Sequence, residues 1–156
     1  MIDATDKRIL QMVQQDGKIK IKEIAAALQM TNTPVFERIK RLEKEGYIQS
    51  YTALLDKEKL GFKLTAFCSV TLEKHHKAYL DQFEADIIQF PEVSACYHIA
   101  GMFDYLLKIH MQDMQHYQEF ITQRLASLAN IGRVQSSFVM TEIKTDGGLP
   151  VGDLLT

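Results

Sequence analysis

The chain has 156 residues, of which 46% are apolar, and a formal net charge of −2. That length suits one medium domain or two small ones, and the apolar fraction is that of a folded chain rather than a disordered one. No apolar run approaches the roughly 20 residues that a membrane span needs, and the mixed-charge start MIDATDKRIL lacks the apolar core of a secretory signal, so a cytoplasmic protein with no membrane partner is expected. Cys68 and Cys96 then read as reduced thiols in apolar strands. His75, His76, His98, His110 and His116 fall at no ligand spacing, so neither a metal nor a cofactor is expected. Charge is uneven: residues 1–60 carry 11 Lys/Arg against 9 Asp/Glu, and residues 61–156 carry 7 against 11. The first part leans basic, which suits a head that meets phosphate.

In chain order, a first helix follows Asp3 or Thr5, buries Ile9, Leu10 and Val13, and stops at Asp16-Gly17. A second runs over 21–28 with Ile24, Ala25 and Leu28 inward. After a turn at Gln29-Met30 a third starts at Thr31, which can cap it, and runs to Gly46, with Val35, Ile39 and Leu42 inward and Pro34 tolerated in its first turn. Residues 47–56 read as extended, a link or small wing. Texture changes near Gly61. Residues 64–72 form a strand with Ala66, Cys68, Val70 and Leu72 on one side and Phe67 with threonines on the other. A helix over 78–90 places Leu80, Phe83, Ile87 and Phe90 at three-four-three spacing and ends at Pro91. Residues 93–100 and 105–111 are strands. Asp113 can cap a helix with Met114, Tyr117, Ile121, Leu125 and Leu128 in a stripe, and 134–144 is the last strand. The division is a helix-turn-helix head over 1–50, a linker over 51–63, a second domain over 64–145 and an unassigned tail over 146–156. The fold class is α+β: a winged helix-turn-helix, then a ferredoxin-like βαββαβ domain. Its helices cover one sheet face; the other, partly apolar, needs a cover, for which a second copy of the chain is the simplest.

A third helix with small polar residues at its start and bases along its outer face fits a major groove: its first side chains reach base edges and its Arg or Lys clamp phosphates. Thr31, Asn32, Thr33, Glu37, Arg38 and Arg41 are the candidates to face double-stranded DNA. From spacing alone, a surface helix with charge pairs such as Glu37–Arg41 reads equally well.

The stretch from Asp3 to Gly61, with FPEVSACYHIAGMFDYLLKIHMQDMQHYQEF and VQSSFVMTEIK after it, resembles the Lrp/AsnC family of leucine- and asparagine-responsive regulators over about residues 2–145. The resemblance implies a DNA-binding transcriptional regulator that forms dimers, commonly assembled to octamers. It also implies a small effector, usually an amino acid, held between sensing domains at a Gly-x-x-Asp loop. By position that loop is Gly101, Met102, Phe103 and Asp104, flanked by Tyr97 and His98, with Ser136 on the last strand. Taken without the resemblance, Gly101–Asp104 is a tight β-connection and His98 an ordinary strand residue. Two positions depart from the family: Met102 replaces an acid common in leucine-responsive members, and Lys20 replaces a capping Ser or Thr, at a cost of about 1 kcal/mol to that helix end. With Asp104 the loop's one acid and no Lys or Arg between Lys77 and Lys108, a neutral amino acid is the expected effector.

An enzyme on a ferredoxin-like body is the rival from another class. No Ser-His-Asp order, metal cluster or phosphate loop supports it, so no catalytic residue is named. A sensor acting through protein contacts and an architectural DNA-packaging protein are further alternatives. The basic face of residues 32–41 favours DNA.

Overall fold

The computed structural model describes residues 1–145 and 148–151; the rest of the 146–156 tail lies outside the described residues. The chain divides into two compact units, Met1–Leu54 with the described chain after Ile143, and Leu55–Ile143.

In the first unit, α1 (Ala4–Gln15) starts from a reciprocal cap: the Asp3 carboxylate accepts the Asp6 N–H at 2.8 Å, and the Asp6 carboxylate accepts the Asp3 N–H at 3.0 Å. α2 (Ile21–Leu28) follows Lys20, whose side chain offers no acceptor; Glu23 Oε2 takes the Lys20 N–H at a long 3.5 Å. Gln29, left-handed at φ 55, ends it and turns the chain into α3 (Asn32–Lys44). Thr31 has the cap backbone there, but its hydroxyl makes no capping bond, which corrects the expected side-chain cap. Ile9, Ile24, Ala25, Val35, Ile39 and Leu42 close the core of the three helices. Residues 47–63 form no strand in this single chain: 47–54 belong to the head unit and 55–63 lead into the first strand of the second.

The second unit runs β1 (Leu64–Leu72), α4 (Lys77–Ile87), β2 (Val93–His98), β3 (Tyr105–Met111), α5 (Met114–Glu119) and β4 (Ile131–Phe138). The sheet is antiparallel in the order β2-β3-β1-β4, the split βαβ arrangement. Ala66, Cys68, Val70 and Leu72 of β1 pack with Phe83 and Ile87 of α4 and Tyr117 of α5, so both helices cover one face. Tyr97, Leu106, Phe67 and Ser69 point to the other.

Several elements differ from the sequence pattern: α4 ends at Ile87 rather than 90 and β2 at His98 rather than 100, and two differences are larger. β4 spans 131–138, not 134–144: its register sets Ile131 beside Leu72 and Phe138 beside Ala66, and after one further bond, from the Val139 N–H to the Thr65 carbonyl at 2.9 Å, the ladder ends. The helix after Asp113 is not one regular stripe. α5 passes into a π-helical turn (Phe120–Arg124) and a 3₁₀ turn (Leu125–Ser127). Phe120 and Leu125, both buried, lie five residues apart, the repeat of a π turn, whereas Met114 at the start is 43% exposed. Leu125→Ala is therefore expected to cost about 2–5 kcal/mol in urea unfolding, and Met114→Ala, which a regular stripe would have buried, no more than about 0.5 kcal/mol.

Candidate DNA-reading and effector sites

The exposed start of α3 presents Thr31, Asn32 and Thr33, then Phe36 and Glu37 one turn later. Lys40 lies 5.9 Å from the centre of the Phe36 ring and pairs with Glu43 at 2.8 Å. Arg38 and Arg41 do something else. Arg38 reaches back to Asp3 at 2.6 Å and Asp6 at 2.7 Å, and Arg41 to the other Asp6 oxygen at 2.5 Å. Asp6 is wholly buried. The Asp6 N–H, then Arg38, hold the Asp3 carboxyl below its usual value, and the Asp3 carboxylate, then Asp6, raise Arg38. Both arginines, expected from the sequence to face DNA, are thus engaged within the head. They tie α3 to α1, and the Glu37–Arg41 pair gives way to Arg41–Asp6.

Cations that the sequence reading passed over are Lys18, Lys20 and Lys22, all exposed, and none in an ion pair among the described residues. Lys20 and Lys22 stand at the start of α2, where unpaired helix N–H groups already favour an anion. Three lysines alternating with isoleucines immediately before and into a helix were the available signal.

In the second unit the Gly101–Asp104 loop joins β2 to β3 and folds over the end of β1. Gly101 has φ 148, a value open to glycine but strained for other residues. The Ile99 N–H donates to the Asp104 carbonyl at 2.8 Å, and the Asp104 N–H to the Val70 carbonyl at 2.9 Å. The Asp104 carboxylate accepts the Leu72 N–H at 2.7 Å and faces His75 Nε2 at 3.0 Å. Burial pushes this carboxyl up, but the Leu72 N–H and His75 outweigh it and leave it below 3.8. Of the two roles the sequence left open, turn or ammonium partner, the turn already engages Asp104. Met102 is 83% exposed and Phe103 half-buried.

The structure also brings a cation to this loop. The Arg133 guanidinium lies 5.8 Å from the Phe103 ring centre and meets no carboxylate among the described residues. The absence of Lys or Arg between Lys77 and Lys108 therefore does not make the surroundings uncharged. No sequence spacing flags Arg133; it arrives because β1 pairs with both β3 and β4.

Of the other candidates, only His98 acts on this cluster, helping electrostatically to lower the Asp104 carboxyl. Tyr97 is 54% exposed on the helix-free face. His98 lies on the opposite face, stacked on Tyr105 at 4.7 Å and 3.9 Å from Glu84. Burial, then the bond to Glu84, raises the Tyr105 hydroxyl's pKa. Ser136, on the far edge strand β4, accepts a hydrogen bond from the Tyr117 hydroxyl at 2.5 Å and sits opposite Cys68 of β1. β2 and β4 are three strand spacings apart, roughly 14 Å, so within one chain Ser136 lies away from Tyr97 and His98. Burial pushes the Cys68 and Cys96 thiols up to about 11, away from the reactive thiolate. No group of three His, Cys, Asp or Glu among the described residues could hold a metal ion, and no helix among them is long and apolar enough to cross a membrane.

Residues 2–49 match a winged helix-turn-helix DNA-binding family and residues 65–149 the Lrp/AsnC ligand binding domain. The chain is 36% identical to the DNA-binding transcriptional activator DecR of Escherichia coli over 97% of its own length and 99% of the relative's. It is 33% identical to the Bkd operon transcriptional regulator of Pseudomonas aeruginosa over 96% and 98%. Among solved structures, a transcriptional regulator of Neisseria meningitidis in complex with L-Met superposes with a TM-score of 0.94 at 34% identity, covering 99% of this chain and 100% of that one. An AsnC family transcriptional regulator of Agrobacterium tumefaciens gives 0.92 at 32%, covering 99% and 100%.

Because Asp6 is buried, replacing both arginines by alanine strands its charge. The Arg38→Ala/Arg41→Ala protein is expected to lose about 3–5 kcal/mol of head stability in urea unfolding. Unfolding indistinguishable from the parent chain would show that the two arginines are dispensable to the head.

Proposed function

The chain belongs to the Lrp/AsnC family of DNA-binding transcriptional regulators, and on that premise we propose how its two units read DNA and sense a small molecule. The start of α3 lies in the major groove, with Thr31, Asn32, Thr33 and Glu37 toward base edges. Lys18, Lys20, Lys22 and Lys40 meet phosphates. Arg38 and Arg41 act on DNA chiefly by holding α3 in place. Each phosphate contact releases counterions and adds about 0.9 to the slope of log affinity against log salt. The Lys18→Ala/Lys20→Ala/Lys22→Ala protein should thus bind DNA more weakly and with a slope shallower by about 2–3. An unaltered slope would remove these lysines from the interface.

The effector is a neutral amino acid held at the Gly101–Asp104 loop. Its carboxylate meets Arg133 and the loop's N–H groups, and its side chain lies on Phe103. The proximity of Arg133 to Phe103 is the observation that carries this reading. Methionine is the first candidate, since the Neisseria relative was solved with it. Tyr97, His98 and Ser136 belong to the site only where a second copy of the chain brings them close. Dimers form across the helix-free sheet face, with octamers as the larger assembly, and two heads on one axis make the second DNA contact intramolecular.

Calorimetry against the twenty amino acids, with mobility shifts on the DNA upstream of the chain's own gene, tests the effector reading. Methionine or another neutral amino acid should bind and alter the shift. Arg133→Ala should weaken that binding about tenfold or more, the loss of a charge-assisted hydrogen bond. Tight binding of a charged amino acid alone would overturn it.

A further inference from the structure

The reading head is assembled from two stretches of chain: it takes in Met1–Leu54 and the chain that returns after Ile143. The returning stretch is bound, not merely adjacent. The Gln14 side-chain amide on α1 donates to the Leu149 carbonyl at 2.9 Å, and its carbonyl accepts the Leu149 N–H at 2.9 Å. One side chain thereby satisfies a backbone donor and acceptor together, as a neighbouring strand would. The approach requires Gly148: its φ is 71, and a Cβ there would come within 2.3 Å of the Gln14 amide. Leu149, Pro150 and Val151 then line an apolar cavity of about 740 Å³ whose other wall includes Leu10, Val13 and Tyr51.

We propose that residues 148–151 are a strap, docked in this groove of the head, that gives the head a second covalent tether to the sensing unit beside the 51–63 linker. A body joined at one point by a flexible linker samples many orientations. A second attachment at α1 removes much of that freedom before DNA is met, so the two heads of a dimer lose less entropy on binding together. The tether begins at a meaningful place. β4 carries Arg133, beside the Gly101 loop, at its start, and the chain that leaves its end runs on to Gly148.

The test uses the full chain with two single variants, Gln14→Ala, which removes the partner, and Gly148→Ala, which blocks the approach. Gln14 is exposed, so its variant keeps the head core untouched even if the glycine variant shifts the melt. Amide exchange should show the Leu149 N–H protected in the parent chain and unprotected in both variants. Spin labels at Ala27→Cys and Ala78→Cys, in a Cys96→Ser background and diluted into unlabelled protein, report the distance distribution between the units. That distribution should be narrow in the parent and broad in both variants. An unprotected Leu149 N–H in the parent chain, which would leave the groove to some other occupant, overturns the proposal. So does a distribution whose width is unchanged once protection is lost. Neither readout involves an effector, so the outcome is independent of the amino-acid reading above.

Discussion

A buried carboxylate holds the head together. Asp6 is fully enclosed, and its two oxygens accept the Asp3 N–H and the guanidinium groups of Arg38 and Arg41. Burying one ion costs several kcal/mol unless charge and hydrogen bonds replace the lost water, and here both are supplied by α3, more than thirty residues away. The arrangement fixes direction as well as distance. Apolar contacts among Ile9, Val35 and Leu42 would let α3 slide or rotate somewhat, whereas two guanidinium groups on one carboxylate define its azimuth. The face that α3 turns outward, with Asn32, Thr33 and Glu37, follows from where Arg38 and Arg41 must point inward.

The sensing unit uses the same device in lighter form. Asp104 sits at the junction of loop and β3, and its carboxylate and N–H both bind the end of β1. That leaves Gly101, Met102 and Phe103 projecting from an anchored base, with their own polar groups available. The anchor also explains why Asp104 is poorly suited to be the sole partner of an ammonium: its oxygen is already shared by Leu72 and His75.

Much of this was legible in the sequence where physics acts locally. α2, β1 and β3 fall where periodicity placed them, because three-four and two-residue repeats report burial directly. The βαββαβ order and the Gly101 loop followed from the same patterns and from a resemblance spanning nearly the whole chain. What could not be read depends on distant chain segments. Arg38 and Arg41 lie among the polar residues of α3 and so looked like an outer face; only the packing of α1 reveals that a buried acid claims them. Arg133 follows a glycine and reads as loop; its closeness to Phe103 is a property of strand order. Of the stripe after Asp113, Tyr117, Ile121, Leu125 and Leu128 all pack in the core; Phe120 was missed because a π turn adds a residue that a fixed 3.6 repeat cannot anticipate. Tyr97, His98 and Ser136 came from the resemblance alone, and strand alternation with edge-to-edge distance separates them within one chain.

These constraints bear on how a signal could pass from loop to head. An effector shifts an equilibrium only by its difference in affinity for two states, so some element must have two arrangements. The loop base is pinned by Asp104 and the head by Asp6, which makes each a poor place for bistability. The remaining freedom lies in the connections between units, of which the chain has two: the linker after Leu54 and the return after Ile143. A ligand carboxylate that draws Arg133 away from Phe103 would act on the first turn of β4, and β4 is an edge strand, held on one side only by β1. An edge strand can move with the loss of one ladder of hydrogen bonds rather than two. The chain that β4 leads into is the one that ends on α1. One edge strand of the sensor is thus also one of the two strands that lead to the head.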